Sequence, residues 1–113
     1  MELDRAVTHF AVTRFEAERA VSNKEYCNTV WSLAPDDMSI PLLFLSIRIH
    51  PHANTIPEIN ECAKIFYILS GEGEMLIDGQ RAALRAGETL WLPKGSEHVI
   101  KTDDQELRLL VLK

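Results

Sequence analysis

An all-β protein, built as one antiparallel sandwich or barrel, is the fold class that this sequence predicts, and three observations predict it. Short runs rich in Val, Ile, Leu, Thr and aromatic residues recur from Tyr26 to the C-terminus. Turn-forming clusters separate them: Pro35-Asp36-Asp37, Pro51-His52-Ala53-Asn54, Asp78-Gly79, Ala86-Gly87 and Pro93-Lys94-Gly95-Ser96. Within the runs, apolar residues alternate at period 2, the repeat of a half-buried strand. Roughly eight short strands at that spacing, with turn signals between them, argue for a closed or double-layered antiparallel architecture. At 113 residues the chain is one domain's worth, since domains commonly hold ~100–150 residues.

The elements follow in order. Residues 1–25 form an N-terminal arm ahead of a barrel over 26–113. The arm is expected to be strand-like up to Phe15 and then to make one helical turn through Glu16-Ala17-Glu18-Arg19-Ala20. Its Val7, Phe10, Val12 and Phe15 must cover the outside of this barrel or that of a second subunit. Cys27 to Leu33 and Ile40 to Ile49 are the arms of a β-hairpin that turns at Pro35-Asp36-Asp37. Leu43, Leu45, Ile47 and Ile49 share the core face of the second arm, and Ser46, Arg48 and His50 the other. Short strands follow around Glu58 to Asn60, over Ile65 to Leu69 and over Glu74 to Asp78. Asp78-Gly79 is a type I′ hairpin signal, because both residues tolerate positive φ. Arg81 to Leu84 returns from it, and Glu88 to Leu92, His98 to Lys101 and Leu107 to Leu112 complete the sheets. By alternation Phe66, Ile68, Met75, Ile77, Leu90 and Leu92 point inward, as core or as a pocket wall, while Tyr67 and Trp91 sit on outer faces.

Composition narrows the function. Twelve basic against 17 acidic residues, a net charge of −5, leave no basic stripe of the kind that nucleic acid requires. The longest apolar run, Ile40 to Leu45, is broken by Pro41 and falls far short of the ~20 residues that span a bilayer. No membrane partner is expected. Glu2 and Asp4 precede any apolar block, unlike a signal peptide. Two cysteines, Cys27 and Cys62, are too few for a secreted disulfide scaffold, so reduced thiols in a cytoplasm are expected.

Two spaced segments carry a family resemblance. Gly87, Pro93, Gly95 and His98 stand in the order and spacing of the second cupin motif. The linking phrase Ile65-Phe66-Tyr67-Ile68-Leu69-Ser70-Gly71-Glu72-Gly73-Glu74 resembles the strand-turn-strand of small one-domain bacterial cupins. Counting back from Gly71 in the first cupin motif puts Lys64 where the family has its Glu, Asn60 and Glu58 where it has its two His, and His52 where it has its first Gly. The resemblance runs from about Ile40 to the C-terminus. It implies a double-stranded β-helix, or jelly-roll barrel, and a homodimer. The frame is kept, but three of the four usual metal ligands are different residues.

That substitution governs the expected chemistry. In the family's usual set, three imidazoles and a carboxylate hold a transition metal. Here an ammonium replaces the carboxylate and repels a divalent ion, while Glu58 and His98 alone fall short of the three protein ligands that a catalytic zinc site keeps. No cofactor is expected. The obvious His-x-His, His50-Pro51-His52, falls at a strand end and in the turn after it, where the family has a Pro-Pro-Gly-like turn. A rearranged metal set of His98 and Glu58 with His52 or His50 stays as an alternative. In the leading reading Glu58, Lys64 and His98 form an acid-base set with an anion anchor, and Asn60, Phe66, Ile68, Met75 and Leu90 help to line a small-molecule pocket. The chain is then a non-oxidative isomerase, cyclase or lyase acting on a small anionic metabolite. Its rivals are a ligand-binding or regulatory cupin without turnover, in which Glu58 and Lys64 merely plug the old metal cavity, and the metal-dependent enzyme.

Overall fold

The computed structural model describes residues 13–14, 17–24, 26–34 and 42–113. Among these, one 3-10 turn, Ala17–Arg19, precedes ten strands: β1 Val21–Asn23, β2 Asn28–Ser32, β3 Phe44–Ile49, β4 Glu58–Ile59, β5 Lys64–Ser70, β6 Glu72–Ile77, β7 Gln80–Arg85, β8 Thr89–Leu92, β9 Glu97–Lys101 and β10 Leu107–Leu112. They make two antiparallel sheets, a larger one in the order β1-β2-β3-β10-β5-β8 and a smaller one in the order β4-β9-β6-β7. The last strand thus lies between β3 and β5, where it completes the larger sheet. This is the all-β double-stranded β-helix that the family resemblance implies.

Alternation sets the faces. Leu45, Ile47 and Ile49 of β3 pair with Val111, Leu109 and Leu107 of β10, and these pairs turn inward together. The core joins them to Phe66, Ile68, Met75, Leu84, Leu92 and Ile100, all nearly inaccessible to solvent. The opposite parity faces outward: Trp91 stands across from Ile65, and Ile65 from Leu112. Tyr67 and Trp91 are exposed there, as expected.

Tight connections hold the registers. Asp78 and Gly79 both take positive φ, 49° and 83°, which is the turn expected between β6 and β7. Gly71, between β5 and β6, has a φ of 83°, and a Cβ there would lie 2.1 Å from the backbone oxygen of Glu106. No other residue fits that position without moving the loop before β10.

Some details differ from the sequence expectation. The described sheet begins at Val21, because β1 pairs with β2 ahead of the expected barrel start at residue 26. Strand β3 begins at Phe44, so Leu43 stands outside it and is 49% exposed rather than in the core. The turn at Pro35-Asp36-Asp37 and nearly all of the strand expected up to Phe15 lie outside the described residues. No helix among the described residues is long and apolar enough to cross a membrane.

Candidate functional site

Glu58 opens β4 and stands directly opposite His98 on β9. Residues paired in this way present their side chains on one face, here the inside of the smaller sheet. Lys64 opens β5 in the larger sheet, opposite Leu92 of β8, and reaches the same space from the other side. Its ammonium donates a hydrogen bond to Glu58 Oε1 at 3.1 Å. His98 Nε2 lies 3.9 Å from Glu58 Oε2, close enough for charge attraction but beyond hydrogen-bond reach. The Lys64 and His98 side chains are buried, whereas that of Glu58 remains 38% exposed. The carboxylate therefore sits between the interior and solvent.

His98 is the titrating member. Burial lowers its pKa below the usual 6.5; Glu58 opposes that shift and Lys64 adds to it. At neutral pH the imidazole is uncharged, as desolvation of a cation requires. Phe66 meets the imidazole edge-on, with ring centroids 5.9 Å apart and planes at 63°. His98 Nδ1 is buried and makes no hydrogen bond with the described residues.

Asn60 has a different task from its neighbours. Its Nδ2 donates to the backbone oxygen of Ser96 at 2.9 Å and to Ser96 Oγ at 3.0 Å. Its backbone N–H donates to Ser96 O, and its carbonyl accepts from Gly95 N. Asn60 thus ties the end of β4 to the loop between β8 and β9, which fixes Glu58 against His98. Since β4 ends at Ile59, strand alternation does not carry Asn60 onto the cavity wall.

Between the sheets lies a cavity of about 100 Å³, lined by Glu58, Lys64, His98 and Phe66 from the expected set. That is room for roughly three or four non-hydrogen atoms, at the ~30 Å³ share that a water takes in the liquid. Asn60, Ile68, Met75 and Leu90 do not line it. Ile68 and Met75 are fully buried core, and Leu90 packs against that core. The cavity also takes residues that the sequence reading passed over: Tyr26, Asn28, Thr55 and Lys113. A signal for the last existed, because Lys113 continues the inward alternation of Leu107, Leu109 and Val111.

His50 and His52 lie away from this cavity. His50 Nε2 is 3.1 Å from Thr29 Oγ1, and His52 occupies an exposed turn with a φ of 56°. Among the described residues no group of three or more His, Cys, Asp and Glu side chains is arranged to hold a metal ion. Cys27 and Cys62 are free thiols, and Cys62 is exposed in the bend between β4 and β5.

Comparison with solved structures matches this architecture. The polyketide cyclase RemF from Streptomyces resistomycificus superposes with a TM-score of 0.75 at 21% identity, over 90% of this chain and 78% of that one. A Cupin 2 conserved barrel domain protein from Salinispora arenicola gives 0.78 at 17% identity, over 92% and 87%. KdgF from Halomonas gives 0.70 at 16% identity, over 92% and 93%. No curated protein matches the sequence significantly. A cupin domain model matches residues 45–113, which hold every strand from β4 onward and all three members of the Glu58–Lys64–His98 cluster. With that match, the motif spacing and the two-sheet barrel in agreement, this chain belongs to the cupin domain family.

Proposed function

We propose that this cupin binds a small anionic metabolite and moves protons on it, as an isomerase, cyclase or lyase that uses no tightly held metal. One observation carries the reading: a carboxylate, an ammonium and an uncharged imidazole face a single cavity. Lys64 anchors a substrate carboxylate, or offsets the negative charge that develops on an enolate oxygen when a neighbouring C–H is deprotonated. Glu58, within reach of both solvent and cavity, accepts that proton. Glu58 then returns the proton to the far atom, while the uncharged His98 donates a ring N–H hydrogen bond to the negative charge that builds up in between.

The donor set at the family's metal position does not fit a divalent ion. Lys64 places a positive charge 3.1 Å from the one carboxylate available, and Asn60, whose Nδ2 is bonded to Ser96, offers only an amide oxygen, a poor transition-metal ligand beside imidazole. No step is therefore routed through a metal.

The test is solvent-deuterium incorporation, followed by NMR, into a panel of small oxo-carboxylic acids. Exchange next to the carbonyl is expected with the wild type. It should fall by about 10²–10⁴-fold in Glu58→Gln, as for loss of a general base. Binding of panel members with no exchange would favour a second reading, a ligand-binding or regulatory cupin without turnover. The short Lys64–Glu58 contact favours that rival, because each charge is already satisfied without a ligand.

The proposal extends to a homodimer. Trp91, Tyr67 and Leu69 are 70%, 37% and 40% exposed on one outer sheet face, and covering such neighbouring apolar side chains favours association. Light scattering should give twice the chain mass, and Trp91→Glu should give the monomer. A monomeric wild type would refute it.

A further inference from the structure

The charged cluster stands where two hollows meet. The inner one is the cavity between the sheets. An outer one, of about 510 Å³, is bordered by Leu43, Ile59, Glu61 and Cys62. Glu58, Lys64 and Lys113 line both. These three residues form the waist that the two hollows share.

Two features of the waist bear on what it takes. Its lysines outnumber its one glutamate, and the Lys64–Glu58 pair leaves Lys113 without an ion-pair partner among the described residues, while Glu61 on the outer rim brings the charge of the whole lining to zero. Lys113 is held in place by its own backbone, whose N–H and carbonyl both bond to Leu43. The second feature is apolar. Ile59 is 64% exposed and Leu43 is 49% exposed, beside an ion pair and facing solvent. Covering such side chains is favourable in proportion to the area removed from water. A small polar ligand, held wholly inside, would leave them bare.

We propose that Lys113 is a second anion-anchoring residue and that the outer hollow, over Leu43 and Ile59, seats the apolar body of an amphipathic monoanion whose carboxylate enters the waist. The inference rests on the reading of Glu58, Lys64 and His98 as an anion pocket, and deepens it: the ligand is larger than the inner cavity and carries an aromatic or branched apolar portion. Ile59 and Leu43 then determine specificity, and Lys64 and Lys113 fix orientation.

Two probes separate the parts. Acetate offers only a carboxylate, whereas 2-naphthoate adds an apolar body. Affinities come from calorimetric or NMR titration. Cys62, on the rim of the outer hollow, reports occupancy through its rate of alkylation by iodoacetamide, read by peptide mass spectrometry with Cys27 as the internal reference. Naphthoate should bind at least about tenfold tighter than acetate, through burial of its rings, and should slow Cys62 alkylation. Lys113→Met should weaken both anions. Ile59→Ser, at an exposed site where folding is little affected, should weaken naphthoate about fivefold or more and acetate less than about twofold, in keeping with lost apolar contact. Naphthoate with no advantage over acetate, an unchanged alkylation rate at saturation, or equal losses for both probes in Ile59→Ser overturns the outer seat while leaving the anion pocket standing. Acetate that binds equally well after Lys64→Met, or failure of both anions to bind, overturns the pocket and this inference together.

Discussion

Lys64 Nζ lies 3.1 Å from Glu58 Oε1, and the two side chains differ sharply in exposure, 7% against 38%. The pair is therefore asymmetric. Removing the carboxylate strands a buried ammonium, whereas removing the ammonium leaves a carboxylate that water still reaches.

Unfolding in urea should reveal that asymmetry. Glu58→Gln is expected to cost about 2–4 kcal/mol, toward the range for an orphaned buried charge. Lys64→Met should cost under about 1 kcal/mol, because the remaining charge is partly solvated. The double change should recover most of the Glu58→Gln loss, since neither charge is then left alone. If the double variant also binds ligand as the wild type does, the two charges are structural filler and the acid-base proposal ends.

His98 makes stability depend on pH. Its folded-state pKa lies below the unfolded value of 6.5, so between the two values the unfolded chain binds more protons than the folded one. Stability therefore rises with pH through that window. The contribution of His98 is present above about pH 6.5 and is lost as pH falls toward the folded pKa. His98→Gln should flatten the slope in denaturation curves collected from pH 7 to pH 5.

The same imidazole reports its neighbours with opposite signs. Lys64→Met should raise the His98 pKa, because a cation that opposed its protonation is gone. Glu58→Gln should lower it further, because the favourable carboxylate is gone. An NMR titration of the ring protons resolves both directions, and shifts of the same sign would refute this electrostatic account.

Metal provides an independent check on the donor set. Protein purified without a histidine tag or chelator is expected to carry well under one equivalent of transition metal, and added zinc or nickel should raise its melting temperature little. A site filled at 100 times its Kd would add about 2.7 kcal/mol of stability. Stoichiometric metal would overturn this account of the donor set.

Asn60→Ala should destabilise the fold by about 1–3 kcal/mol, because it leaves buried polar groups of the Ser96 loop without their partners. It should also loosen the Glu58–His98 register, visible as a change in the His98 titration. An unaltered fold and titration would show that the clamp to Ser96 has no positioning role.

Much of the architecture was legible in the residues themselves. Period-2 alternation assigned Ile47, Ile49, Phe66, Ile68 and Met75 to the inside and Trp91 to the outside, because a strand has only two faces. Asp78-Gly79 marked its hairpin, because few residue pairs accept positive φ twice. Resemblance to the two cupin motifs carried the register that brings Glu58, Lys64 and His98 together, since a shift of one residue would invert every face. Local sequence does not encode which distant strands become neighbours. The C-terminal strand lies between β3 and β5, and that placement brings Lys113 to the waist. Leu43 joins the mouth because β3 starts only after it, at Phe44, and Asn60 leaves the wall because β4 stops just before it, at Ile59. Chain ends of strands are decided by the hydrogen bonds that happen to be available there, to Lys113 in one case and to Ser96 in the other. Those partners are supplied by tertiary structure alone.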